Sequence, residues 1–135
     1  TASGSGADFL TQDGMYVMYT ATQAGSGTSL PVLHIVDWGV RPDPWRSLVS
    51  RDLLDAVEKA EDEIRTRYKQ TVTTRTVFLR AREYHLQVGT LTLWFDLKSS
   101  LDEQLSRYEL FRTTVPAGTA RQYVDLRVED KIIYK

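Results

Sequence analysis

The stretch REYHLQVGTLTLWFDLKSSLDEQLSRYELF, Arg82 to Phe111, decides the fold class. Leu91, Leu93 and Phe95 alternate with Thr92 and Trp94, the period-two pattern of a strand with one buried face. The residues before Gly89-Thr90 form a comparable segment, so 82–88 and 90–96 read as consecutive strands with the break between them. Ser100-Leu101-Asp102-Glu103 is then an S-x-x-E capping box, and Leu101, Leu105, Tyr108 and either Phe111 or Arg112 fall on one helical face. Pro116 and Gly118 end that helix.

Upstream, residues 71–80 read as a further strand. Before it, Leu53, Leu54, Val57, Ala60, Ile64 and Tyr68 trace one stripe of an amphipathic helix spanning Ser50–Lys69. Ser50 is a natural N-cap, Asp52 sits in the first turn, and Arg65, Arg67 and Lys69 sit in the last, as the helix dipole favours. Leu30–Val36 and Met15–Thr20 are two more strand candidates. Pro31 places the start of the first outside a ladder, and Asp13-Gly14 is a turn ahead of the second. Downstream, Tyr123-Val124-Asp125-Leu126-Arg127-Val128 alternates strictly, breaks at Glu129-Asp130, and returns as Lys131–Lys135, a terminal hairpin. Many strands and two helices without regular β-α-β alternation predict an α+β fold: a mainly antiparallel sheet with both helices packed on it, ending in a C-terminal β-hairpin.

The composition narrows the function. Seventeen Lys and Arg stand against eighteen Asp and Glu, a net charge of −1, which is too balanced for a nucleic-acid footprint. With no cysteine, disulfide scaffolds, thiolate zinc sites and a cysteine nucleophile are excluded. The longest unbroken apolar run is Met15–Tyr19, far short of a bilayer span. Residues 1–7 read as a linker or cloning remnant and 8–135 as one domain, excised from a longer protein.

Chemistry is sparse. His34 with Asp37, or His85 with Glu83, could pair a base with its orienter, but both histidines sit inside strand candidates, where a structural role is the ordinary one. Two histidines without cysteine make a poor zinc set, and Gly25 and Gly27 lack the strand-to-helix setting of a phosphate cradle. No catalytic residue, metal or cofactor is expected. The helix face bearing Glu58, Lys59, Glu61, Asp62, Glu63 and Arg65 is a solvated mixed-charge surface stabilised by i,i+4 pairs. The loop Trp38–Trp45, stiffened by Pro42 and Pro44, either tucks back on a buried indole or presents an aromatic to an envelope glycan or small ligand.

The ordered set of helix, strands, capped helix and the ending YVDLRVEDKIIYK resembles the extracytoplasmic β-domain of the bacterial division family FtsQ/DivIB. Phe9–Gly14 and Leu30-Pro31-Val32-Leu33 are similar to the family's first strand and its Leu-Pro segment. SLVSRDLLDAVEKA is similar to the helix that follows. The likeness covers nearly all of 8–135 and implies an upstream transmembrane helix and POTRA domain. It implies a non-catalytic scaffold at the division septum, on the outer face of the cell membrane. Its partners would be FtsB/DivIC-like and FtsL-like bitopic proteins, captured by β-strand addition.

On physics alone, Lys131–Lys135 is either an open edge for an added strand or an edge protected by its flanking lysines. The resemblance favours the first. It implies a partner-binding set of Val128, Asp130, Lys131, Ile132, Ile133 and Tyr134, in which Val128, Asp130, Ile132 and Tyr134 match the partner-facing positions, and it implies that Arg82 supplies a basic group on the adjoining strand. Asp125 and Arg127 would fix the hairpin's register or pair with neighbours.

Overall fold

The computed structural model describes residues 9–10, 16–17, 33–36 and 49–135. Its elements are β1 (Phe9–Leu10), β2 (Tyr16–Val17), β3 (Leu33–Val36), α1 (Arg51–Tyr68), β4 (Val72–Phe78), β5 (Glu83–Val88), β6 (Leu91–Asp96), α2 (Leu101–Thr114), β7 (Tyr123–Asp125) and β8 (Ile133–Tyr134). The short strands β1 and β2 pair antiparallel with each other, Phe9 opposite Val17. The other six form one sheet in the order β3-β4-β5-β6-β7-β8.

Three neighbouring pairs in that sheet are antiparallel, β4–β5, β5–β6 and β7–β8. The pairs β3–β4 and β6–β7 are parallel, and each is bridged by a helix. The fold is therefore α+β with a mostly antiparallel sheet, as the sequence predicts, carrying a β-α-β crossover on either side of its central meander. Strands β3, β4, β6 and β7 run the same way and both crossovers step the same way across the sheet. Right-handed connections then put α1 and α2 on one face. The core agrees: Val57 and Ile64 of α1, Leu105 and Tyr108 of α2, and Leu86 and Phe95 of the sheet are buried in one cluster.

Both helices begin where the sequence places them. The Ser50 hydroxyl accepts from Leu53 N–H at 3.3 Å, and the Ser100 hydroxyl accepts from Glu103 N–H at 3.2 Å. Helix α1 ends with Lys69 in the left-handed region, φ 56°, where a C-terminal cap closes the last turn. On α2 it is Phe111, not Arg112, that completes the buried stripe. Gln104 is also fully buried. Its carbonyl accepts from Asp96 N–H at 2.8 Å, and its amide donates to Asp96 O at 2.9 Å and Ser99 O at 3.0 Å. That amide fastens the start of α2 to the end of β6.

Strand boundaries differ from the sequence reading at the turn after β4, at the end of β7, and in the terminal strand, where 131–135 shortens to β8 because Lys131 and Ile132 belong to the connection. The segments 71–80 and 82–88 shorten to β4 and β5 because residues 79–82 form the turn, with Arg82 at φ 55°. The segment 123–128 shortens more, with β7 ending at Asp125. There the Asp125 carboxylate accepts from Arg127 N–H at 3.0 Å, a side-chain turn that competes with the ladder and bends the chain away. The tight break at Glu129-Asp130 is thus a longer connection, 126–132, with Asp130 at φ 57°. The Pro31 and Asp13-Gly14 signals lie outside the described residues.

A candidate strand-addition edge

β7 and β8 pair with Val124 opposite Tyr134 and Asp125 opposite Ile133. The N–H of Lys135 donates to Tyr123 O at 3.0 Å, and the N–H of Tyr123 donates to Lys135 O at 3.2 Å. That reciprocal exchange marks Tyr123 and Lys135 as a hydrogen-bonded pair. In an antiparallel ladder such pairs alternate, so Ile133 also turns its polar groups toward β7. The N–H and C=O of Tyr134, and by continuation those of Ile132, turn the other way. β8 ends the sheet order, so among the described residues no strand lies on that side. Among the described residues the last strand is therefore an edge with outward-facing backbone groups. Tyr134 is also one of two exposed large hydrophobic side chains among the described residues; the other is Leu110 on α2.

The residues around this edge are held from behind by an ion-pair clamp. Arg127 donates to both carboxylate oxygens of Asp125, at 2.8 and 2.7 Å, and reaches Glu83 at the start of β5 at 2.7 Å. Its guanidinium lies 5.1 Å from the centre of the Trp94 ring. Burial pushes the Asp125 carboxyl up, but hydrogen bonds and charge from Arg127 outweigh it and hold that carboxyl below its ordinary value. The same bonds to Asp125 raise the Arg127 pKa. Asp125 and Arg127 therefore pair with each other, and through Glu83 they tie β7 back across β6 to β5.

The candidate residues divide. Ile132, Ile133 and Tyr134 lie on or beside the edge, with Ile132 packed partly against the core. Val128, Asp130 and Lys131 lie in the 126–132 connection, Asp130 and Lys131 exposed. Arg82 does not join them: it occupies the exposed turn before β5, and β6 and β7 separate β5 from β8. The basic side chain that joins β7 to β5 behind the edge is Arg127, within the clamp itself.

Sequence reasoning also missed a groove of about 810 Å³ between α2 and the 126–132 connection. Glu103, Ser106, Arg107 and Leu110 line it at the i, i+3, i+4, i+7 spacing of one helix face, opposite Glu129–Ile132. The available signal was Leu110, an apolar residue off the buried stripe of α2.

On the sheet face away from the helices, rings stack from strand to strand. Phe78 and His85 are 4.4 Å apart, His85 and Trp94 4.8 Å, and Trp94 and Tyr123 4.0 Å. His85 Nε2 is buried without a hydrogen-bond partner. Burial first, and the positive charge of Arg127 second, lower the His85 pKa to about 4, leaving the ring neutral near pH 7. Glu83 bonds Arg127 and makes no bond to His85, so that pair is no base-and-orienter dyad. His34 and His85 flank Thr76 in one register row, one strand to either side. Asp37 and the Trp38–Trp45 loop lie outside the described residues. Among the described residues no three His, Asp or Glu side chains are grouped to hold a metal.

No protein-family model matches the chain, and no curated protein matches it either.

Proposed function

We propose that this is a non-catalytic scaffold domain of a membrane-anchored bacterial division protein, one that captures FtsB/DivIC-like and FtsL-like bitopic partners by strand addition to β8. In this reading the domain lies on the outer face of the cell membrane at the septum, and an upstream segment anchors it. One observation carries the reading: a six-stranded sheet ends in a strand whose Tyr134 N–H and C=O point away from it, beside an exposed tyrosine ring. An added strand would satisfy those groups at little cost in reorganisation, because the edge is already extended and tied to β7. Lysines at 131 and 135 blunt self-association while leaving the backbone accessible.

The test separates backbone from side chain. Full-length protein carrying Tyr134→Pro or Tyr134→Val is isolated from bacterial membranes, and co-purifying proteins are identified by mass spectrometry. Proline removes the outward N–H and leaves the β7 ladder intact, so a small single-pass coiled-coil protein present with the parent should disappear. Valine keeps the backbone donor and should retain it. Equal recovery of that protein with the parent and the proline variant would end the proposal.

A further inference from the structure

The groove beside β8 is continuous with the edge: Ile132 lines the groove and immediately precedes β8, and Tyr134 reaches Phe111 of α2 with ring centres 5.7 Å apart. Its lining mixes two chemistries: Leu110, with 49% of its surface exposed, and Ile132 are apolar, while Glu103, Glu129 and Asp130 are acidic. Arg107 is already engaged: it donates to Leu126 O at 2.7 Å and Ser99 Oγ at 3.3 Å, and its guanidinium is 3.8 Å from Glu103. Among the described residues neither Glu129 nor Asp130 takes part in an ion pair. Lys131 offsets only part of that acidic lining.

We infer that the groove holds the partner segment next to the added strand, and that this segment is both apolar and basic. An aliphatic side chain seats on Leu110 and Ile132, and a lysine or arginine answers Glu129 and Asp130. This rests on the strand-addition reading above and names the chemistry of the partner it requires. Self-pairing of two copies about Ile133 is disfavoured, because it sets Lys131 opposite Lys135 of the second copy, and like charges directly opposite oppose pairing in that register. Electrostatic complementarity of this kind selects the partner and its register.

The test places p-benzoylphenylalanine at Tyr134 or at Ser106 of the full-length protein in bacterial cells, and identifies each photo-crosslinked peptide by mass spectrometry. Ser106 is exposed, and its hydroxyl bonds only within its own helix, to Asp102 O. Both positions should capture one polypeptide, the Ser106 peptide lying within about 20 residues of the Tyr134 peptide, as the short span from edge to groove demands. The Ser106 peptide should contain leucine, isoleucine or valine together with lysine or arginine. Glu129→Lys with Asp130→Asn should lower the Ser106 yield about tenfold and leave the Tyr134 yield unchanged. If Tyr134 crosslinks and Ser106 does not, or captures an acidic segment, or ignores the charge changes, the groove inference is wrong and the edge reading stands. If Tyr134 captures nothing, the edge reading fails and takes this inference with it.

Discussion

Replacing Arg127 with methionine removes the clamp behind the candidate edge while keeping a long apolar stem over Trp94. It strips two carboxylates of their counter-charge at once. Asp125 loses the two bonds donated by the guanidinium while keeping the one from the main-chain N–H of residue 127, and Glu83 loses its 2.7 Å contact. Breaking a fully buried pair by deleting one member costs about 3–5 kcal/mol. The Asp125 side chain is only 7% exposed, but those of Glu83 and Arg127 are 20% and 25% exposed, and water screens their share. A loss of about 2–3 kcal/mol is therefore expected. For a domain of this length each kcal/mol lowers the melting temperature by about 3–4 °C, so Arg127→Met should melt about 7–10 °C below the parent. Far-ultraviolet circular dichroism reads the melt, and a double-mutant cycle with Asp125→Asn isolates the pair. The double variant should lose less than the sum of the singles. A shift under about 2 °C, or strict additivity in the cycle, would refute the clamp as the device that ties β7 back to β5.

His85 is held neutral, with a pKa lowered to about 4 against 6.5 when unfolded, so the unfolded chain binds more protons between those values. Stability should accordingly fall as pH drops from about 6.5 to about 4, by about 1–2 kcal/mol after allowance for partial exposure, and His85→Phe should flatten that slope in urea titrations. Asp125 acts lower down: its depressed pKa gives stability that is present above about 3.9 and lost as pH falls through the folded value, so Asp125→Asn should remove that acid limb alone. Gln104→Leu strands the buried Asp96 N–H and should cost about 2–3 kcal/mol, lowering the urea midpoint with an unchanged m-value. Tyr134→Pro and Tyr134→Val both give up the ring contact with Phe111, so their urea midpoints should agree to within about 0.5 kcal/mol equivalent, because the N–H that proline alone removes faces away from β7.

What the sequence made legible follows from range. Both helices could be read because their information is local: Ser50 and Ser100 cap them, and the stripes through Leu53–Ile64 and Leu105–Phe111 repeat at the helical period. The end of β7 was not legible because strict alternation continues to Val128, while the side chains of Asp125 and Arg127, reaching Glu83 on a distant strand, bend the chain first. Local pattern also cannot report that β3 joins β4, and β7 joins β6, in parallel. Those pairings follow from the direction in which each helix returns the chain to the sheet. Gln104 reads as a polar helix residue until Asp96 is folded against it. The edge itself was left open by physics, since flanking lysines suit both a protected and a receptive strand. The groove needed α2 and the 126–132 connection side by side, so neither segment alone announced it.

The most direct measurement is residue-resolved amide exchange of the domain, alone and with the segment crosslinked through Tyr134. Alone, the Tyr134 amide should exchange quickly while those of Ile133 and Lys135, bonded to β7, are protected. With the captured segment, Tyr134 and Ile132 should slow by about tenfold or more, as new ladder bonds form. A Tyr134 amide already protected in the free domain, or one unmoved by saturating partner, would contradict strand addition at β8.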